Sequence, residues 1–368
     1  MRRLFPILVA ILVLTIVFWK FSNTEPSGTK HTGTNSTAML KTLLKPKVAR
    51  RSVEQSPPST NAAADQAEEP TVTGLSADQI AAYLLKYKRN AESLLTAFAE
   101  CQDKALLKEA AEKFPNDPRV QLAMLMQDKS DSELTSEERN LWLERFKKSS
   151  PDNGLPNLLT ALNNLKEGQK DIFVAEIMSS NAKPGLSAFY VQQMQSREEM
   201  YLSAGLSPRE AAEKALQVPD VSLEAHMKAL AQRLGEMQKD YLAAGDGVAA
   251  NKIAALGVNL GHRWADPNSS PFVISEMVGI AIQQIPLKNL DPNTYYDFLG
   301  KTAAERIAEL KAERGELKVF ATDLSKYYVQ MSESDRMIYM NRLKMYGERG
   351  AWKWLQQTYG TNGGAVQP

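Results

Sequence analysis

Prolines set in Asn- and Asp-rich turns constrain this chain more than any other feature, because the segments between them carry apolar residues at helical spacing. One turn is Phe114-Pro-Asn-Asp-Pro118, opening into Arg-Val-Gln-Leu-Ala-Met-Leu125. Its echo is Ser150-Pro-Asp-Asn-Gly-Leu-Pro156, opening into Asn-Leu-Leu-Thr-Ala-Leu162. Proline has no N–H and a fixed φ, so it stops one helix yet is tolerated in the first turn of the next. From Leu75 onward no run of alternating apolar and polar residues competes with this pattern. The expectation is an all-α body of stacked helical hairpins.

The helices can be placed from their apolar faces and start signals. Ser76 opens one with Ile80, Leu84, Tyr87, Ala91, Leu94, Leu95 and Phe98 on its apolar side. Leu107, Ala110, Ala111 and Phe114 mark a second, and Val120, Leu122, Leu125 and Met126 a third. Thr135-Ser-Glu-Glu138 has the form of a capping box before Leu141, Trp142 and Phe146. Leu158, Leu159, Ala161, Leu162 and Leu165 face one way; Phe173, Val174, Ile177 and Met178 follow a turn around Gly168. In the second half, Ser207-Pro-Arg-Glu210 is a helix start. Ser222–Leu242 and Val248–Leu260 form a hairpin about Gly245 and Gly247. Breaks are expected at Asp266–Pro271 and Pro286–Pro292. The last helices are expected over Thr302–Lys311, Leu317–Met331, Asp335–Tyr346 and Ala351–Tyr359.

The prolines lie 36 residues apart (115 to 151) and then 33 apart (151 to 184). Over residues 103–184 this resembles the tetratricopeptide repeat, a 34-residue helix–turn–helix unit. Counted back from Pro184, Ala161 falls on the small position of the first helix and Gly168 on the turn. Asn164 departs from the usual aromatic and Phe173 from the usual small residue. The resemblance implies an α-solenoid, whose extended face binds protein or peptide.

The first residues set the location. Met1-Arg-Arg precedes an apolar run, Leu4–Trp19, which as a helix spans about 24 Å, short of the roughly 30 Å hydrocarbon core. Lys20 can snorkel and Phe21 lengthens the run. We read residues 1–21 as an uncleaved transmembrane anchor, with membrane contact through residues 4–21. A cleaved signal peptide and a buried core helix are the other two readings. Arg2 and Arg3 keep the N-terminus cytoplasmic and send the body outside, periplasmic if the cell is bacterial. Residues 22–74 are poor in large apolar side chains and read as a disordered linker. Within it Met39–Arg51 carries five cations beside apolar pairs, a solvated patch or a lipid-surface helix. The body divides into a hairpin domain at 75–205 and a second helical region at 206–359, with a boundary near Leu206 or Pro219. Residues 360–368 are a flexible tail.

Chemistry is thinly represented. The net charge of +1 on 368 residues supplies no field for nucleic acid. One cysteine and three histidines exclude a Cys- or His-rich metal site, and no cofactor is expected. Cys101 reads as an inert thiol. Glu224 and His226, two apart, diverge on a helix. Glu137-Glu138 and Glu198-Glu199 read as solvated faces. Gly257-Val-Asn-Leu-Gly-His-Arg-Trp264 has no phosphate-loop spacing; His262, Arg263 and Asp266 form a candidate polar site or a basic helix end. The aromatics Tyr327, Tyr328, Trp352 and Trp354, with Met331, are a candidate partner groove or simply core. No catalytic residue is assigned. The functional expectation is a membrane-anchored scaffold for protein–protein contact outside the cytoplasm. The alternatives are an all-helical envelope enzyme and a self-associating assembly factor.

Overall fold

The structure, a computed structural model, describes residues 74–127, 134–166, 168–216 and 222–360. The expected anchor, the linker to residue 73 with its basic stretch at 39–51, Pro219 and the tail from residue 361 lie outside the described residues. Among the described residues the body is all-helical, with 14 helices and one hairpin of two-residue strands. None of these helices is long and apolar enough to cross a membrane.

The first seven helices are α1 (Ala77–Lys86), α2 (Ala91–Cys101), α3 (Lys104–Lys113), α4 (Pro118–Leu125), α5 (Ser136–Ser149), α6 (Leu155–Lys166) and α7 (Lys170–Asn181). Their starts follow local chemistry. Ser76 with Gln79 and Thr135 with Glu138 form complete capping boxes, and Pro118 occupies the first turn of α4 behind the Asp117 cap. Gly168, at φ 76°, takes the left-handed turn between α6 and α7 that a side chain would resist. From α2 to α7 each helix packs on the next in sequence.

Then the order changes. Helix α8 (Tyr190–Ser203) returns to pack on α1 and α2, and α9 (Pro208–Ala215) packs on α8. Ser196 Oγ donates to Glu92 and Tyr201 OH to Glu100 Oε2 at 2.7 Å, both on α2. The hairpin α10 (Ser222–Ala243) and α11 (Gly247–Trp264) then stacks against the earlier one, α10 on α6 and α11 on α7. Helix α12 (Val273–Leu287) lies on both. After strands β1 (Tyr295–Tyr296) and β2 (Lys301–Thr302), α13 (Ala303–Gln330) and α14 (Glu333–Tyr359) complete the body.

The largest core runs from Leu122 on α4 to Leu355 on α14, so side chains on both sides of residue 206 share it. Leu158, Leu159, Phe173, Met227, Leu234 and Leu260 are fully enclosed in it. Each such side chain contributes about 1.5–3 kcal/mol. Three smaller cores hold α1–α4 (Ile80, Leu94, Ala110, Val120), the α12–α14 region (Ile280, Leu310, Phe320, Trp352) and the junction of α1 with α8 and α9 (Tyr83, Met200, Tyr201, Ala211).

The expected break between Lys311 and Leu317 does not occur: α13 runs unbroken through Gly315. An exposed mid-helix glycine costs about 1 kcal/mol relative to alanine, less than the burial of Leu310, Leu317 and Phe320 on either side returns. Pro286 sits inside the last turn of α12 rather than beyond it, with its ring against Gly257.

Candidate functional site

Two residues of the sequence-derived polar trio face a cleft and the third does not. His262 and Asp266, at the end of α11, line a cleft of about 600 Å³. The same cleft is walled by Glu276 and Gln283 of α12, Phe298 and Leu299 of the hairpin, Lys301, Arg306 and Glu313, and Arg349 of α14. Arg263 turns the other way. Its guanidinium donates to the carbonyls of Ser180, Lys183 (2.9 Å) and Gly185 (2.7 Å), so it caps the end of α7 and the loop beyond. Burial lowers its pKa.

The glycine pair near the trio serves packing. A Cβ on Gly261 would lie 2.6 Å from the carbonyl oxygen of Gly279 and 2.8 Å from the amide of Gln283. One on Gly257 would meet the Pro286 ring at 3.2 Å. Helices α11 and α12 therefore approach backbone to backbone, and this places His262, Asp266, Glu276 and Gln283 on one wall.

The opposite wall depends on a kink. Gly347, at φ 72°, interrupts α14 in the left-handed region. The next residue, Glu348, then reaches α12: its N–H donates to Pro271 O at 2.7 Å, and its carboxylate accepts from Val273 N at 2.6 Å. Helix α12 has no side-chain cap of its own at Phe272, so Glu348 caps it from 75 residues away. Burial pushes the Glu348 carboxyl up to about 7, against the pull of the Val273 amide. The kink also delivers Arg349 between Glu276 and Glu316, the latter at 2.6 Å. Burial raises the Glu276 pKa despite the Arg349 charge beside it.

Arg306 completes the network. It binds Glu313 at 2.9 Å, Glu309 at 3.0 Å and the Gln283 amide oxygen at 2.8 Å, while Lys301 reaches Glu309 at 2.5 Å. The Thr302/Glu305 capping box starts α13 so that Arg306 sits in its first turn. Each of the three cations is thus engaged by at least one carboxylate. An entering ligand must exchange for an existing ion pair, which suits a ligand bearing both charges over a bare phosphate. Among the described residues no group of three or more His, Cys, Asp or Glu side chains is placed to hold a metal ion.

The aromatic set lies elsewhere. Tyr328, Met331 and Trp352 are buried in the core, Trp352 edge-on to Phe320 at 5.4 Å. Tyr328 OH donates to Glu213 at 2.7 Å, and burial raises its pKa strongly. Tyr327 is tilted against Tyr359, and Arg342 lies over Trp354. Cys101 is exposed, its thiol directed at Ala97 O. Glu224 is buried, accepting from Ser275 Oγ at 3.0 Å and Tyr190 OH at 3.3 Å.

Glu276, Arg306 and Arg349 are not among the residues that sequence pattern singles out. They stand on three different helices and look like ordinary surface charges in one dimension. The one local signal is Tyr346-Gly-Glu-Arg-Gly350, whose glycines suggest a hairpin turn and which instead forms the kink. Comparison with family models, with curated proteins and with solved structures gave no match to this chain.

Proposed function

We propose that the protein is a tethered helical scaffold, with tetratricopeptide-like hairpins, that binds a protein or peptide partner outside the cytoplasm. The observation that carries this reading is the stacking of consecutive helix pairs, with α2 to α7 packed in sequence and α10/α11 laid against α6/α7. An array of that kind offers long faces rather than one enclosed pocket. The charged cleft is consistent with it, because paired ions on an open surface select a partner by exchange of charges rather than by catalysis. The apolar run at Leu4–Trp19 supplies the tether.

The test is crosslinking of the full chain in its native membrane, followed by capture. A defined partner supports the scaffold reading, and its loss when Arg306 and Arg349 are reversed to Glu assigns that partner to the charged cleft. Capture of lipid alone, or of nothing, removes it.

A further inference from the structure

We propose that the outer face of α1 is a docking surface for an acidic segment of a partner protein that presents one leucine-sized side chain between carboxylates. This assignment rests on the scaffold reading above and names the chemistry of the partner.

Helix α1 uses one face for the fold. Ile80, Tyr83 and Leu84 are buried, and Gln79 donates to Ala204 O on the chain after α8. The other face meets no element of the body among the described residues. Ala81, Ala82 and Leu85 are exposed, and Leu85 is 80% accessible, the highest of the large exposed apolar side chains among the described residues. Ala81, Leu84 and Leu85 floor a groove of about 460 Å³ whose rim is Lys88, Arg89 and Lys113.

The rim is cationic. Glu109 accepts from both Arg89 and Lys113, and these bonds hold its carboxyl down near 2, so it is ionised at any working pH. Three cations thus face one carboxylate, and Lys88 has no carboxylate partner among the described residues. Such a rim with an apolar floor is complementary to Glu or Asp placed around a Leu.

The turn that holds Lys88 and Arg89 is strained. Lys88 (φ 54°) and Arg89 (φ 49°) are consecutive non-glycine residues in the left-handed region. Glycine would suit both positions better. The turn that ends α1 in this conformation, with Arg89 N donating to Leu84 O at 2.9 Å, sets both side chains at the groove rim.

The experiment uses the full chain in nonionic detergent. The probe is a fluorescein-labelled helical peptide with a single Leu, Glu at the positions four before and three after it, and no other charge. Anisotropy should show salt-sensitive binding, weakened about tenfold by Lys88→Glu and likewise by Leu85→Ser. Lys88→Gly separates binding from folding: it should weaken the peptide while the protein unfolds at the same or a higher urea concentration. The assignment is overturned if a peptide with Lys for Glu binds equally well, or if these variants leave affinity unchanged. It is also overturned if only phosphatidylserine vesicles bind and the peptide does not. Capture of a native partner without peptide binding sinks this surface and leaves the scaffold reading standing.

Discussion

Arg263 and Glu348 each close a helix end that its own sequence leaves open. The Arg263 fork serves three carbonyls at once, a geometry an ammonium cannot reproduce. Arg263→Lys should therefore cost about 1–3 kcal/mol, read as a lower urea midpoint at unchanged slope. An unshifted midpoint would show that water replaces the lost donors. Glu348 makes a pH prediction. Its folded carboxyl sits near 7, raised from the ordinary 4.5, so the native state holds the proton longer than the unfolded chain does. The native state is then favoured most at low pH, and this contribution to stability is lost as pH rises from about 4.5 through about 7. Relative to Glu348→Gln, the wild-type chain should lose about 2 kcal/mol between about pH 5 and about pH 8. Parallel curves for the two proteins would refute the raised pKa. Neither role can be read from the sequence, because each joins residues 75 or more apart in the chain.

At the scale of elements, two helical glycines do opposite things. Gly261 lies where α11 and α12 touch backbone to backbone, whereas Gly315 lies on α13 with nothing within 4 Å of where a methyl group would sit. Gly261→Ala should destabilise by about 1–3 kcal/mol through forced separation of the helices. Gly315→Ala should stabilise by about 0.5–1 kcal/mol through higher helix propensity. Thermal melts of the two single variants check both signs, and a loss in Gly315→Ala would mean that α13 needs to bend there. The helix starts at Ser76, Pro118, Thr135 and Ser207 were legible, because a cap is a local hydrogen bond between residues two or three apart. The continuity of α13 was not, because packing of Leu310, Leu317 and Phe320 overrides the local signal.

For the whole molecule, the decisive fact is the course of α8. It carries the chain back to α1 and α2, and the main core takes side chains from α4 through α14. A chain whose two halves share one core should unfold in one step. Tryptophan fluorescence reports Trp142, Trp264, Trp352 and Trp354, on α5, α11 and α14, together with Trp19 of the N-terminal apolar run, and far-UV circular dichroism reports all the helices. The two transitions are expected to coincide in urea. A separate early transition would locate an independent unit and divide the core.

Periodicity, capping and proline act within one or two turns of chain, so the all-helical class, most helix starts and the polar end of α11 were already written in the order of the residues. Which side of each helix faces which neighbour was settled by packing alone. The return of α8, the close approach at Gly261 and Gly279, and the meeting of Glu276, Arg306 and Arg349 all follow from contacts between residues far apart in the chain. Their energies come from burial and pairing, and neither leaves a pattern in one dimension.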